Sequence, residues 1–419
     1  MENRRTKRIW LINPYGPIPG EGWRDYRFTL LGRKLAERGN SVTWWTATYS
    51  HHFKRYRSDS WKNIEVGEGF NIVLVPTSAY LRNIGVGRLC FEAIYSLRLY
   101  RNAFKNDPPD CIVGVDPPQT VGFVSGRIAR RFNAKFILDI FDLWPELFVL
   151  AFPDYLRWTA PVVLYPFAFM RKFNLQRACA VTALCRKYLD VAHQVDPGLA
   201  KRRSSIIYNG IDVEALRSAM KVAPSADSLL RTLRKEQDAC WAIYAGSLGH
   251  NYDIPTLLSA AELLSTRGIP AKIIIAGDGP LRELIENFIR GKNPKNLCFV
   301  GKLNHLDLGR LYKMCDVGLC AYGGNSNVAM PDKAYDYMAA GLPIINSLGG
   351  EFAELLRERD VGIQYLAGNP EALANALEAL WKFPERRRQM AHNSYVAAMD
   401  YDQNRQYGTF ADLVEEFVR

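Results

Sequence analysis

The apolar and polar positions of the 419-residue chain alternate between short apolar runs and longer amphipathic stretches. Residues 7–14, KRIWLINP, are an apolar run that ends in a loop rich in Pro and Gly, NPYGPIPGEG. RDYRFTLLGRKLAERG follows with apolar residues at helical spacing and stops at Gly39, and SVTWWTAT is β-rich. Strand, helix and strand in that order predict a βαβ unit and hence a parallel sheet. Further strands are expected at FNIVLVPT, CIVGVDPP and KFILDIFD, with helices between them. The second half repeats the rhythm through strands at CWAIYAGSLG, AKIIIAGDGP, NLCFVGKL and DVGLCAY, separated by helices at IPTLLSAAELLSTRG, LRELIENFIRG and LDLGRLYKMC. MPDKAYDYMAAGLPII, residues 330–345, then reads as a short helix. Pro331 suits its first turn, Tyr335, Met338 and Ala339 share a face, and Gly341-Leu342-Pro343 stops it before a strand. The pattern predicts an α/β chain of two doubly wound domains, 1–207 and 240–399, joined by a polar connection at 208–239. A helix at 400–419 is expected to pack back on the first domain.

In doubly wound folds ligands bind outside the carboxyl ends of strands, so two such domains are expected to face across a cleft. The loops at those ends carry the candidate chemistry. Gly16, Gly20 and Gly22 follow the first strand of domain one, with Arg24 at the next helix start. Gly246-Ser247-Leu248-Gly249 and Gly277-Asp278-Gly279 follow the first two strands of domain two. Glycine lets backbone N–H groups approach an anion, and a helix start then faces it. Each cluster alone is equally a tight turn. None fits the dinucleotide fingerprint or a Walker P-loop.

Charge sharpens the division. Residues 1–210 hold 31 Lys and Arg against 17 Asp and Glu, whereas 211–419 hold 23 against 26, so all of the net +11 lies in the first half. A basic half points to an anionic membrane surface, a pyrophosphate-bearing substrate or nucleic acid, or to nothing beyond solvated side chains. Nucleic acid is set aside because no recognition module or stacking motif accompanies the charge. The eight cysteines are dispersed without a CxxC pair, and the apolar run after MENRRTKR is too short for a signal peptide, which suggests a reducing cytosol. The longest apolar stretch, Trp158–Met170 between Arg157 and Arg171, is too short to span a bilayer. It reads either as a helix lying in a membrane interface or as a buried core helix. No histidine spacing or strand-end DxD suggests a metal site.

The order of these motifs resembles the family 4 retaining glycosyltransferases, which have the two-Rossmann GT-B fold, and in particular the bacterial surface-polysaccharide branch that includes the N-acetylfucosamine transferases. DLWPE (142–146), AGSLGHNYDIPTLLSAA, IIIAGDGP and the run ending in YMAAGLP carry the resemblance, which covers nearly the whole chain. It implies transfer of a hexose or an N-acetylated or deoxy sugar from a nucleotide diphosphate sugar to a lipid-linked acceptor in O-antigen, capsule or exopolysaccharide synthesis. Uridine is the implied base, with guanosine the other candidate. The enzyme would need no metal or cofactor and would work at the inner face of the cell membrane, as a peripheral cytoplasmic protein. Asp336 falls where the family places a carboxylate on the donor ribose. The family's other glutamate, eight positions earlier, is Val328 here, and Asn325, Ser326 or Asn327 is left to supply that contact. Pro331 has no N–H for phosphate, which shifts the expectation to Asp332 and above all Lys333 for the diphosphate. GSLGHNYDI lacks the family's basic pair and offers Ser247, His250 and Asn251, so Arg24 is expected to reach over and compensate. Gly277–Gly279 and the FVGKL stretch around Gly301 and Leu303 fit the walls around the base.

Catalysis in such an enzyme is expected to be electrostatic stabilisation and positioning, through Arg24, Lys333 and helix starts. His51 and His52, in a strand-end loop, are candidates for sugar or acceptor contact, or are exposed loop histidines. Asp116 is either a substrate contact or an Asx turn before two prolines. Asp142 and Glu146 either hold acceptor hydroxyls or serve a short helix starting at Pro145. The competing readings are a nucleotide-sugar epimerase and a non-catalytic member, with Val328 for glutamate, that binds a partner transferase or the membrane.

Overall fold

The computed structural model describes residues 6–22, 24–83, 85–144, 148–149, 152–222 and 233–418. The chain divides into two compact units, one of residues 1–209 with 404–419 and the other of residues 210–403.

The first unit is built on β1 (Arg8–Ile12), α1 (Arg27–Glu37), β2 (Ser41–Ala47), a two-residue hairpin of β3 (Tyr49–Ser50) and β4 (Arg55–Tyr56), β5 (Lys62–Gly67) and β6 (Phe70–Val75). It continues through α2 (Val86–Ala103), β7 (Cys111–Asp116), α3 (Gln119–Phe132), β8 (Lys135–Ile140), α4 (Ala160–Arg177), β9 (Ala180–Ala183), α5 (Arg186–Val195) and β10 (Arg203–Ile206). The eight strands order as β10-β9-β8-β7-β1-β2-β6-β5, parallel except for β5, which pairs antiparallel with β6. The sequence pattern missed β5: KNIEVG is largely exposed and has too few apolar positions to announce a strand. At the centre, Ile9, Leu11, Ile112, Val113, Ile137 and Leu138 are fully buried, as strands covered on both faces must be.

The second unit runs through α6 (Val213–Lys221), β11 (Cys240–Ala245), α7 (Ile254–Thr266), β12 (Ala271–Ala276), α8 (Arg282–Lys292), β13 (Leu297–Gly301), α9 (His305–Met314), β14 (Val317–Cys320), α10 (Asp332–Ala339), β15 (Ile344–Asn346), α11 (Glu351–Arg359), β16 (Gly362–Gln364), α12 (Pro370–Lys382) and α13 (Pro384–Ala397). Its sheet is wholly parallel in the order β13-β12-β11-β14-β15-β16. The strand order reverses between β11 and β14, which is where ligands bind in such sheets. Part of the stretch expected to be a connection is α6, N-capped by Asp212 and packed on α9 within the second unit. Helix α14 (Gln403–Glu416) closes the chain, and from Asn404 it groups with the first unit. Arg38, at the end of α1, holds it there by contacts to Asp412 at 2.7 Å and Glu415 at 3.3 Å.

Helix α4 decides between the two readings of the 158–170 stretch. Leu164 and Leu175 face inward, while Trp158, Val162, Val163, Tyr165 and Phe169 stand exposed, Trp158 and Val162 by more than three quarters. This helix is no core element. Among the described residues no helix is long and apolar enough to cross a membrane.

Candidate functional site

The glycine loops of the second unit are laced together by their backbones. Gly246 N–H donates to Ala276 C=O at 3.0 Å, Leu248 N–H to Asp278 C=O at 3.0 Å, and Gly277 N–H to Gly301 C=O at 2.8 Å. A Cβ on Gly277 would sit 1.8 Å from the Gly246 oxygen, so no other residue fits. Gly246 has φ +145° and lies directly over Lys333, whose Nζ is 3.3 Å from where a Cβ would be. Ser247 and Asp278 are exposed on these loops, Gly249 and Leu303 half-buried. The Asp278 carboxylate accepts from Gly279 N–H at 3.0 Å.

Lys333 is the centre of the arrangement. It sits in the first turn of α10 and is 8% exposed, and its Nζ has no hydrogen-bond partner. Three tyrosine ring faces surround it: Tyr244 on β11 at 3.8 Å from Nζ, Tyr252 at 4.4 Å and Tyr322, just past β14, at 5.0 Å. The rings are tied in place. Tyr244 hydroxyl donates to Ser247 C=O at 2.7 Å, and Tyr252 and Tyr322 form an isolated antiparallel bridge with ring centres 5.0 Å apart. Burial pushes the Lys333 ammonium down from the usual lysine range to about 7, against smaller upward pulls from Cys320 and Asp336. Asp336, one turn on, is half-buried and accepts from Tyr312 hydroxyl at 3.3 Å. Asp332 is half-buried beside the cage; burial raises the pKa of Tyr252 and Tyr322, and the charge of Asp332 adds to it. Asn327 and Val328 are exposed on the loop before α10. The structure therefore gathers the glycine loops, Lys333 and Asp336 at the carboxyl edge of one sheet. The sequence pattern overlooked the tyrosines, although each adjoins a glycine loop at a strand end.

The first-unit candidates sort differently. Gly20 and Gly22 lie in an exposed loop braced by Glu21, whose carboxylate pairs with Arg57 at 2.9 Å and is held below its usual pKa in spite of burial. Arg24 is exposed just before α1. His51 contacts Tyr80 hydroxyl through Nδ1, and burial, aided by Lys54, Arg88 and His52, pushes its pKa down to about 3. It is thus a neutral imidazole at any ordinary pH, unable to serve as a cation for phosphate. His52 is exposed beside the ring of Phe53. Asp142 is half-buried, accepts from Leu143 N–H at 2.8 Å and has its pKa raised by burial. Glu146 and Pro145 lie outside the described residues.

Asp116 is 0% exposed and takes Arg171, itself 2% exposed, at 3.1 Å together with the Gln119 amide at 3.2 Å. A carboxylate enclosed this way is the counter-ion of a buried guanidinium.

Residues 228–396 match the family described as glycosyl transferases group 1. The chain is 26% identical over 186 residues to an uncharacterized glycosyltransferase, MJ1607, of Methanocaldococcus jannaschii, covering 43% of this chain and 46% of that protein. The chain thus spans about half the length of that curated relative. Among solved structures it is similar to sucrose-phosphate synthase from Thermosynechococcus elongatus, at 18% identity and TM-score 0.67, with 98% of each chain covered. It is also similar to Anabaena Alr3699/HepE in complex with UDP-glucose, at 14% identity and TM-score 0.64, covering 98% of this chain and 100% of that one. An E. coli trehalose-6-phosphate protein bound with UDP-2-fluoro glucose gives 13% identity and TM-score 0.70 over 98% and 99%. The fold is therefore GT-B, an α/β fold of two domains.

Proposed function

We propose that the protein is a retaining glycosyltransferase that moves a hexose or an N-acetylated or deoxy sugar from a nucleotide diphosphate sugar, with uridine as the base, to a lipid-linked sugar acceptor in surface-polysaccharide synthesis. The observation that carries this reading is Lys333, a buried ammonium without a hydrogen-bond partner under the glycine loops at the switch point of the sheet. A diphosphate there receives the ammonium, the backbone of the Gly246 and Gly277–Gly279 loops and the start of α10. Asp336, on the same helix face, accepts from the ribose hydroxyls, and Gly301 and Leu303 flank the base. In the transfer the bond from the anomeric carbon to phosphate oxygen breaks, and the acceptor oxygen bonds to the same face. The acceptor proton passes to the departing phosphate oxygen. Lys333 and the helix start meet the charge left on the diphosphate, and Arg24 is assigned to the same charge. The neutral His51, with His52 and Asp142, is assigned to sugar and acceptor contacts. UDP complexes of Anabaena Alr3699/HepE, which shares the fold, support the choice of base.

Two measurements test it. In a thermal-shift screen, UDP-sugars raise the melting temperature of the protein, since a ligand that binds only the native state stabilises it. A polyprenyl pyrophosphate sugar then turns binding into transfer. Binding without turnover would favour the non-catalytic reading, to which the exposed Val328 in place of a glutamate lends weight. The Asp336→Ala variant is expected to bind the UDP-sugar about 1–3 kcal/mol more weakly by calorimetry, the loss of charge-assisted hydrogen bonds. Unchanged affinity would remove Asp336 from the ribose.

Helix α4 supports work at a membrane surface. Tyr165 and Phe169 on it and Trp158 just before it are exposed and suit headgroup depth, and Arg157, Lys172 and Arg177 suit lipid phosphate. Cosedimentation with vesicles containing anionic lipid is expected, and a Trp158→Ser, Tyr165→Ser double variant should lose it about tenfold, two interfacial aromatics being worth more than 1 kcal/mol together. Equal partitioning of both proteins would sink the assignment.

A further inference from the structure

A lysine as buried as Lys333 ordinarily has a carboxylate or several hydrogen-bond acceptors around its ammonium. Here three ring faces lie within 5.0 Å of the amine, and it sits 3.3 Å from where a Cβ on Gly246 would be. The titratable groups around it are Asp332 and Asp336 on its own helix, Cys320 at the end of β14 and the three tyrosines. Ring faces attract a cation by about 0.5–2 kcal/mol each, while taking an ammonium out of water costs several kcal/mol. Burial has the larger pull, and the balance leaves the amine easily discharged at neutral pH.

We propose that the cage of Tyr244, Tyr252 and Tyr322 makes anion binding at Lys333 a proton-coupled event, in which the amine takes a proton from solvent as a diphosphate arrives. This rests on the reading of the site as a diphosphate site and adds what the tyrosines do there. They keep water and carboxylates off the amine, so that its charge depends on the ligand. The charge of the anion favours the ammonium form, which raises the lysine pKa in the complex. The direction with pH follows. Below about 7 the amine is already charged and binding takes up nothing. Between that point and the lysine pKa of the complex, a bound diphosphate brings up to one proton with it, and affinity falls by up to tenfold per pH unit.

The test is made on the full chain with UDP and inorganic pyrophosphate as probes. In protein labelled with ε-¹³C lysine, one signal, absent from Lys333→Met, is expected to titrate near 7 and to move up by about one unit or more when UDP is added. Calorimetry at pH 8 in buffers of different ionisation enthalpy should give about 0.5–1 proton taken up per UDP, at a pH where a terminal phosphate with second pKa about 6 is already ionised. Tyr252→Leu, which lets water reach the amine, should raise the lysine midpoint and cut the uptake, while Tyr252→Phe, which keeps the ring face, should behave as the parent. If no lysine titrates below about 9, or if Tyr252→Leu leaves the midpoint where it was, the cage has no such role. UDP binding without proton uptake likewise overturns the coupling and leaves the nucleotide-sugar reading standing. A lysine that titrates near 7 and answers pyrophosphate but not UDP supports the coupling and refutes the nucleotide.

Discussion

Replacing Lys333 with Met is expected to lower the rate of sugar transfer by about 10²–10³-fold while making the folded protein more stable. The first effect follows from the proposed role of Lys333 as a preorganised charge at the leaving diphosphate, whose loss is about 2.7–4 kcal/mol at comparable electrostatic sites. The second is the more discriminating, because catalytic and structural lysines differ in its sign. In the folded protein burial holds the amine at about 7, whereas in the unfolded chain it returns to the ordinary 10.5. Between those values the unfolded state binds more protons, so the parent gains stability as pH rises from 7 to 10.5 and carries the full penalty below 7. Methionine fills the cage without a charge. The variant should therefore unfold at a higher denaturant concentration than the parent at pH 6, by about 1–3 kcal/mol, with the gap closing towards pH 10. A variant destabilised at pH 6 would mean that Lys333 is a structural cation, and the site would have to be rebuilt around another charge.

Removing Asp139 should cost about 3–5 kcal/mol of stability. Arg27, 3% exposed on α1, donates through Nε and Nη2 to both oxygens of Asp139 on β8 at 2.6 Å, and through Nη1 to Ile207 C=O at 2.7 Å. Thr182 on β9 donates to the same carboxylate at 2.7 Å, and the guanidinium lies 5.1 Å from the ring centre of Phe410 on α14. Asp139→Ala leaves that guanidinium buried without its counter-ion. The double variant Arg27→Met, Asp139→Leu should recover most of the loss, because the desolvation penalty disappears with both charges. Urea titrations of the singles and the double measure this directly, and a double variant as unstable as Asp139→Ala would show that the pair does more than neutralise itself.

Much of this architecture was readable along the chain. Helix α10 was legible because its signals are local, a Pro at its start, an apolar face through it and Gly341-Leu342-Pro343 after it, although Pro331 proves to be the extended N-cap and not part of the first turn. The alternation of buried strands and amphipathic helices was legible for the same reason. Strand β5 was not, since an exposed edge strand has no apolar run to betray it. The Trp158–Met170 stretch was ambiguous because apolar composition is common to core and interface helices, and only its packing on α3 with its other side exposed separates them. Asp116 shows the limit most clearly. Nothing near a carboxylate at a strand end before two prolines announces its ion pair with Arg171, 55 positions later.

The sequence by itself determined the α/β rhythm, the glycine loops at strand ends and a helix start carrying Asp332, Lys333 and Asp336, because each depends on neighbours a few residues apart. The tertiary structure alone decided which charges meet a partner and which do not. Lys333 and the tyrosines around it come from β11, the loop after it, the end of β14 and α10, and only the reversal of strand order between β11 and β14 brings them together. Burial and ion pairing depend on contacts distant in sequence, and those contacts turn one charged residue into a counter-ion and leave another buried without a hydrogen-bond partner.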